Sequence, residues 1–126
     1  LIEDGKYEYS WLGITGVSLR PEVAERMDLP RETGGVLVIQ VADDSPAERA
    51  GLIGSDSTVS IEGVQYPVGG DIIVAIEGAA VPLMSDLIAF LTGNTRPGDK
   101  VVIDIIRGGD KREQLDVTLG KRPNSG

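Results

Sequence analysis

Few side chains in this sequence are equipped for chemistry. Its 126 residues include no histidine and no cysteine. That excludes Ser-His-Asp and Cys-His triads, thiol nucleophiles, disulfides and His- or Cys-ligated metals. Asn124-Ser125-Gly126 sets a serine beside a glycine, but on the terminal tail with no base near it. The carboxylates Glu22, Glu25, Asp43, Asp44, Asp56, Asp71 and Asp86 fall where helices start, chains turn or strands end. Acids there cap amides or face water, whereas paired-carboxylate catalysis needs two held across a cleft. Asp43-Asp44 lacks the alternating oxygen ligands of a calcium loop, and no glycine-rich phosphate motif occurs. No catalytic residue, no metal and no cofactor is therefore expected. The net charge, 12 − 20 = −8, also argues against nucleic acid and anionic membranes, which need clustered Lys and Arg.

Backbone amides remain. In Trp11-Leu12-Gly13-Ile14 a glycine stands between aliphatic residues at the entry to an apolar run. Glycine lets the chain turn tightly enough for successive N–H groups to converge into an anion nest. If the following segment, Ile14 to Leu19, lies at a sheet edge, it can accept an extra strand from a peptide. The nest would then hold a chain terminus above an apolar pocket lined by Leu12 and Ile14. The helix-period stripe Met84, Leu87, Ile88 and Leu91 would close the groove.

Other elements must hold this loop and strand in place. Pro21 to Asp28 reads as a short helix. Gly35 to Val41 is a buried strand. Ser45-Pro46-Ala47-Glu48 is a capping box with proline in the first turn, ended by Gly51. Glu62-Gly63 turns a hairpin between 58–61 and 64–67. Asp71 to Glu77 is a strand, and 83–92 is a helix closed by Gly93. Its start is ambiguous, because the stripe begins before Ser85, the nearest good cap. Lys100 to Arg107 and Lys111 to Leu119 form a hairpin about Gly108-Gly109-Asp110. The expected fold is α+β, mainly β: a small antiparallel β-barrel or sandwich of five or six strands with two or three short helices. Residues 1–10 read as a linker, 11–120 as one domain, and 121–126 as a polar tail.

Taken in order, Trp11–Ile14, Asp44-Ser45-Pro46-Ala47-Glu48-Arg49-Ala50-Gly51-Leu52, Gly70–Gly78, Arg96-Pro97-Gly98-Asp99-Lys100 and Ile106–Gly109 resemble a PDZ domain of the bacterial strand arrangement. The resemblance is to the domains that follow the protease domain of HtrA/Deg trypsin-like serine proteases, and it covers residues 9–120. It implies that the loop Trp11, Leu12, Gly13, Ile14 binds a peptide's C-terminal carboxylate through its amides. It further implies that Thr15, Gly16, Val17 and Ser18 pair with the peptide, and that Met84, Ser85 and Ile88 face the groove from the helix. Leu87 and Leu91 are expected to pack inward. Two departures stand out. The family's catalytic histidine and its Gly-Asn-Ser-Gly-Gly loop are absent. And seventeen residues, Ile53 to Gly69, intervene where the family usually has a few. They are expected to form an inserted hairpin, either a surface elaboration or a contact for another domain.

The resemblance implies a module that captures exposed C-terminal tails of misfolded or signal proteins, then regulates or feeds a serine endopeptidase domain of the same chain. The parent would be extracytoplasmic, periplasmic or in the cell envelope, with an upstream membrane anchor and a homo-oligomeric state as further expectations; the fragment itself is expected to be soluble. The alternatives are the PDZ module of a C-terminal-processing or membrane-embedded protease, or of a secretion scaffold. A self-contained enzyme or metal binder has no support in the residues. The −8 charge implies a preference for apolar or basic tails, with binding that strengthens as salt screens repulsion.

Overall fold

The structure, a computed structural model, describes residues 10–108 and 111–121. The linker at 1–9, the last part of the Gly108-Gly109-Asp110 turn, and the tail at 122–126 with Asn124 and Ser125 lie outside the described residues. Elements follow in the order β1 (Ser10–Trp11), β2 (Ile14–Ser18), α1 (Pro21–Arg26), β3 (Val36–Val41), α2 (Pro46–Ala50), β4 (Ser57–Ile61), β5 (Val64–Val68), β6 (Ile72–Ile76), β7 (Ala79–Ala80), α3 (Met84–Asn94), β8 (Lys100–Arg107), β9 (Lys111–Thr118) and β10 (Gly120–Lys121).

The main sheet runs β2-β3-β6-β8-β9, with β7 attached to β6. All its pairings are antiparallel. The pairs β1-β10 and β4-β5 stand apart. A barrel would require β2 to pair with β9, and it does not; the sheets stay open, which corrects the expectation of a possible barrel. The result is a mostly β architecture with three short helices.

Alternation of side chains gives the sheet two apolar faces. Val36, Val38, Ile73, Ile103 and Ile105 pack on one face with Leu12, Leu87 and Leu91. Leu37, Ile72 and Ile106 point the other way, against Leu19, Val23, Ala24 and Val68. The inserted hairpin lies on this second face, where Val59, Ile61 and Tyr66 pack against that cluster. Its turn, Glu62-Gly63, takes φ of +51° and +83°, as a two-residue hairpin loop requires.

The ends of the insertion are tied together. Ile53 N–H donates to Asp71 Oδ2 (2.9 Å), and Asp71 N–H donates to the Ile53 carbonyl (2.9 Å). Closing the segment on itself limits its entropic cost. Asp71 is 2% exposed and is gripped by Arg107 through two parallel bonds, Nε to Oδ1 (2.8 Å) and Nη2 to Oδ2 (2.7 Å). Arg107 Nη2 also donates to the Gly51 carbonyl (2.8 Å). The hydrogen bond to Asp71 raises the guanidinium pKa above its ordinary value. One fork thus joins the end of α2, the insertion and the strand β8.

The α3 boundaries differ from expectation at both ends. Helix formation starts at Met84, because Asp86 Oδ2 accepts the Leu83 N–H (3.1 Å) and so supplies the cap that Leu83 lacks. It continues through Gly93 to Asn94, where glycine is tolerated at an exposed helix end. Asp71→Ala should leave Arg107 and the Ile53 N–H without their partner. Because Arg107 is partly exposed, we expect a loss of about 3 kcal/mol rather than more, measured by urea denaturation.

Candidate functional site

Strand β2 pairs with β3 only, so among the described residues its other edge carries no strand. At the start of this edge stands the Leu12-Gly13 turn. Gly13 takes φ +91°, a conformation that side chains disfavour. A Cβ there would also lie 2.2 Å from Ser45 Cβ and 2.7 Å from Ser45 Oγ. Ser45 cannot withdraw, since it is fully buried as the cap of α2, donating to the Ala42 carbonyl (2.7 Å) and accepting from Glu48 N–H (3.1 Å). Glu48 Oε1 reaches back past the cap to accept the N–H of Asp44, the residue before it (2.7 Å), where a strict capping box would take the Ser45 N–H.

The loop's carbonyls are also engaged. Ala47 N–H donates to the Leu12 carbonyl (2.9 Å), and Ala42 N–H to the Gly13 carbonyl (2.8 Å). Among the described residues the N–H groups of Leu12 and Gly13 go to no backbone carbonyl. Acceptors thus point inward to α2 and its approach, while donors at the turn stay available. Leu12 itself is 3% exposed and belongs to the core, with Ile14 packed against it. Trp11 sits outside the turn, in β1 opposite Gly120. This pairing also brings Ser10 and Lys121, which the sequence assigns to the flanking segments, onto the domain.

Helix α3 runs beside the open edge. Ser18 Oγ accepts the Met84 N–H (2.9 Å), which pins the start of the helix to the end of β2. At its other end Ser10 Oγ donates to the Leu91 carbonyl (3.0 Å) and hydrogen-bonds Thr95 Oγ1. Leu87 and Leu91 are buried. Ser85 is exposed and Ile88 is 49% exposed, a large apolar side chain left in solvent. Met84 is half-buried, and its sulfur lies over Gly16, 3.4 Å from where a Cβ would be. The residue types at 16 and 84 therefore suit a groove: one has no side chain, the other a flexible thioether.

The structure brings Leu12, Gly13, Ile14, Gly16, Ser18 and Met84 together along one edge. Thr15 and Val17 belong to the same strand, but Val17 faces away from α3, toward the inserted hairpin. Sequence reasoning missed Ser45 and Ala47 as supports of the turn. The cap at Ser45 is a legible signal; its contact with Gly13, thirty-two residues away, is not. Among the described residues no three acidic groups gather to hold a metal ion, and no helix is long and apolar enough to cross a membrane.

We expect Gly13→Ala to lower stability by on the order of 3 kcal/mol, combining positive-φ strain with overpacking on Ser45. Thermal unfolding checks this, and an unchanged midpoint would contradict the packing.

Comparison with known proteins identifies the family of this fold. A family model described as PDZ domain matches residues 11–119. A probable periplasmic serine endoprotease, DegP-like, of Ectopseudomonas mendocina (strain ymp) is 33% identical over 123 residues, covering 98% of this chain and 22% of the relative. A DegP-like counterpart in Brucella suis biovar 1 (strain 1330) is 30% identical over 126 residues, covering 98% of this chain and 21% of the relative. The chain thus spans under a quarter of the length of these curated relatives. Among solved structures, the HtrA-type protease AlgW with decapeptide aligns at a TM-score of 0.71 and 31% identity, over 93% of this chain and 30% of that one. The HtrA3 PDZ domain bound to a phage-derived ligand, FGRWV, shares the fold at a TM-score of 0.66 and 18% identity, over 91% of this chain and 88% of that one. The chain belongs to the PDZ domain family, and it is similar to the PDZ segments of HtrA-type serine proteases.

Proposed function

We propose that this domain captures the C-terminal tail of another protein by adding it as a strand to the free edge of β2. The observation that carries this is the pairing of an open edge with available donors at its start: the Leu12 and Gly13 N–H groups, held in place by carbonyls already bonded to Ala47 and Ala42. A carboxylate accepting such donors makes charge-assisted bonds, stronger than neutral ones. The last side chain of the peptide would meet Ile88 and Met84, while Gly16 leaves room for the strand to approach. Solved relatives hold a decapeptide and a phage-derived ligand, which supports a peptide as the occupant.

As part of a protein built like these relatives, the module would deliver tails to a serine endopeptidase domain or switch that domain on, in an extracytoplasmic compartment like that of the periplasmic relatives. A homo-oligomeric parent fits the same proposal. The chemistry would belong to the protease domain, and this domain would supply recognition.

The test is a calorimetric titration with paired peptides of one apolar sequence, ending in a free acid or an amide. The acid form should bind with a Kd of roughly micromolar order or weaker, as a small groove implies. Amidation should weaken it by at least about tenfold. Equal affinities would remove the carboxylate from the mechanism.

A further inference from the structure

Strand β2 has two faces, and the groove beside α3 uses one of them. Gly16 and Ser18 face the helix, as their contacts with Met84 establish. Val17 and Leu19 therefore face the other way. On that side lies an apolar cavity of about 370 Å³, walled by Val17, Val23, Leu37, Ile39, Tyr66 and Pro67. Tyr66 and Pro67 come from the inserted hairpin. Val17, at the mouth, is 41% exposed although it is a large apolar residue. The Arg20 guanidinium stands 5.6 Å from the centroid of the Tyr66 ring and pairs loosely with Glu22 (3.7 Å). The volume falls in the range of ligand pockets and holds a single large side chain with ease.

A peptide added antiparallel to β2 places its residues opposite those of β2, on matching faces. The pairing irregularity between β2 and β3 skips Ile39 on β3 and leaves β2 contiguous. With the terminal residue opposite Ile14, the third from the end lies opposite Gly16 and the fourth opposite Val17. We infer that the cavity between β2, α1 and the inserted hairpin is a second specificity subsite, taking a bulky apolar or aromatic side chain at the fourth residue from the peptide's C-terminus. This rests on the strand-addition reading above. It gives the hairpin a role beyond covering the sheet, since Tyr66 and Pro67 form the wall that a shorter loop would lack. Arg20 at the rim disfavours lysine or arginine at this position by like-charge repulsion, and favours an aromatic ring stacked with Tyr66.

The experiment uses decapeptides identical except for Ala, Leu, Trp or Lys at the fourth position from the end, each as free acid and amide, titrated by calorimetry. In the unmodified domain the Trp and Leu acids should bind about tenfold tighter than the Ala acid, and the Lys acid no tighter than Ala. Tyr66→Ala should erase most of that gap, bringing the Trp and Leu acids toward the affinity of the Ala acid. Because Tyr66 also packs in the sheet, Val17→Asp, at an exposed position, provides a second variant that should erase the same preference. Equal binding of the Ala and Trp acids, with the acids still tighter than the amides, would overturn the subsite and leave tail capture standing. Equal binding of acids and amides would overturn tail capture and the subsite with it. Full retention of the Trp preference in both variants would overturn the assignment of the cavity.

Discussion

The contact between Gly13 and Ser45 is the constraint on which the site depends. A turn with available amides is unstable in isolation, because nothing stops it from rotating those groups toward its own chain. Here the start of α2 supplies what the turn lacks. Ser45 is buried and doubly hydrogen-bonded, Ala47 takes the Leu12 carbonyl, and the space left admits only a glycine. The cap that starts a five-residue helix thereby also orients the donors of the proposed carboxylate site. Leu12 anchors the same turn from beneath, as part of the core that includes Leu87 and Leu91 of α3. Loop, strand and helix are thus fixed to one another through shared buried residues.

The second organising feature is the sheet's two apolar faces. The second face, with Leu37, Ile72 and Ile106, is covered by α1 through Val23 and Ala24 and by the insertion through Val68, with Val59, Ile61 and Tyr66 packed against them, so the insertion is part of the packed structure and not a loose loop. Its ends are fastened by Asp71, which Arg107 holds in turn. The insertion reaches the same strand whose other face meets α3, so both faces of β2 are lined. In the proposed strand addition, this arrangement would let the added strand be read at alternate positions on opposite sides.

Local features were legible in the residues, and long-range ones were not. The α2 cap, its proline and Gly51 all lie within seven residues, and the structure shows each of them in place. The Glu62-Gly63 hairpin and the inward turn of Leu87 and Leu91 were equally local, set by turn chemistry and helical period. The start of α3 was ambiguous because its cap comes from Asp86, inside the helix, and not from a residue before it. Trp11, at the head of the expected amide loop, pairs with Gly120, a partner more than a hundred positions away that no local pattern reveals. The face covered by the insertion depends on the same kind of distant packing. The open sheet, too, follows from which strands fail to meet, and periodicity along the chain does not carry that information.

An acidic chain with no histidine and no cysteine is poor in conventional catalytic groups. We propose that backbone amides at Leu12, Gly13 and Ile14 act as the functional groups instead. Proton–nitrogen correlation spectra of the isotope-labelled domain, recorded while a free-acid peptide is added, test this most directly. The amide signals of these three residues should move most, downfield as they begin to donate to the carboxylate, with Gly16 and Ser18 of β2 following. Largest shifts elsewhere, with residues 12–14 unmoved at saturation, would contradict it.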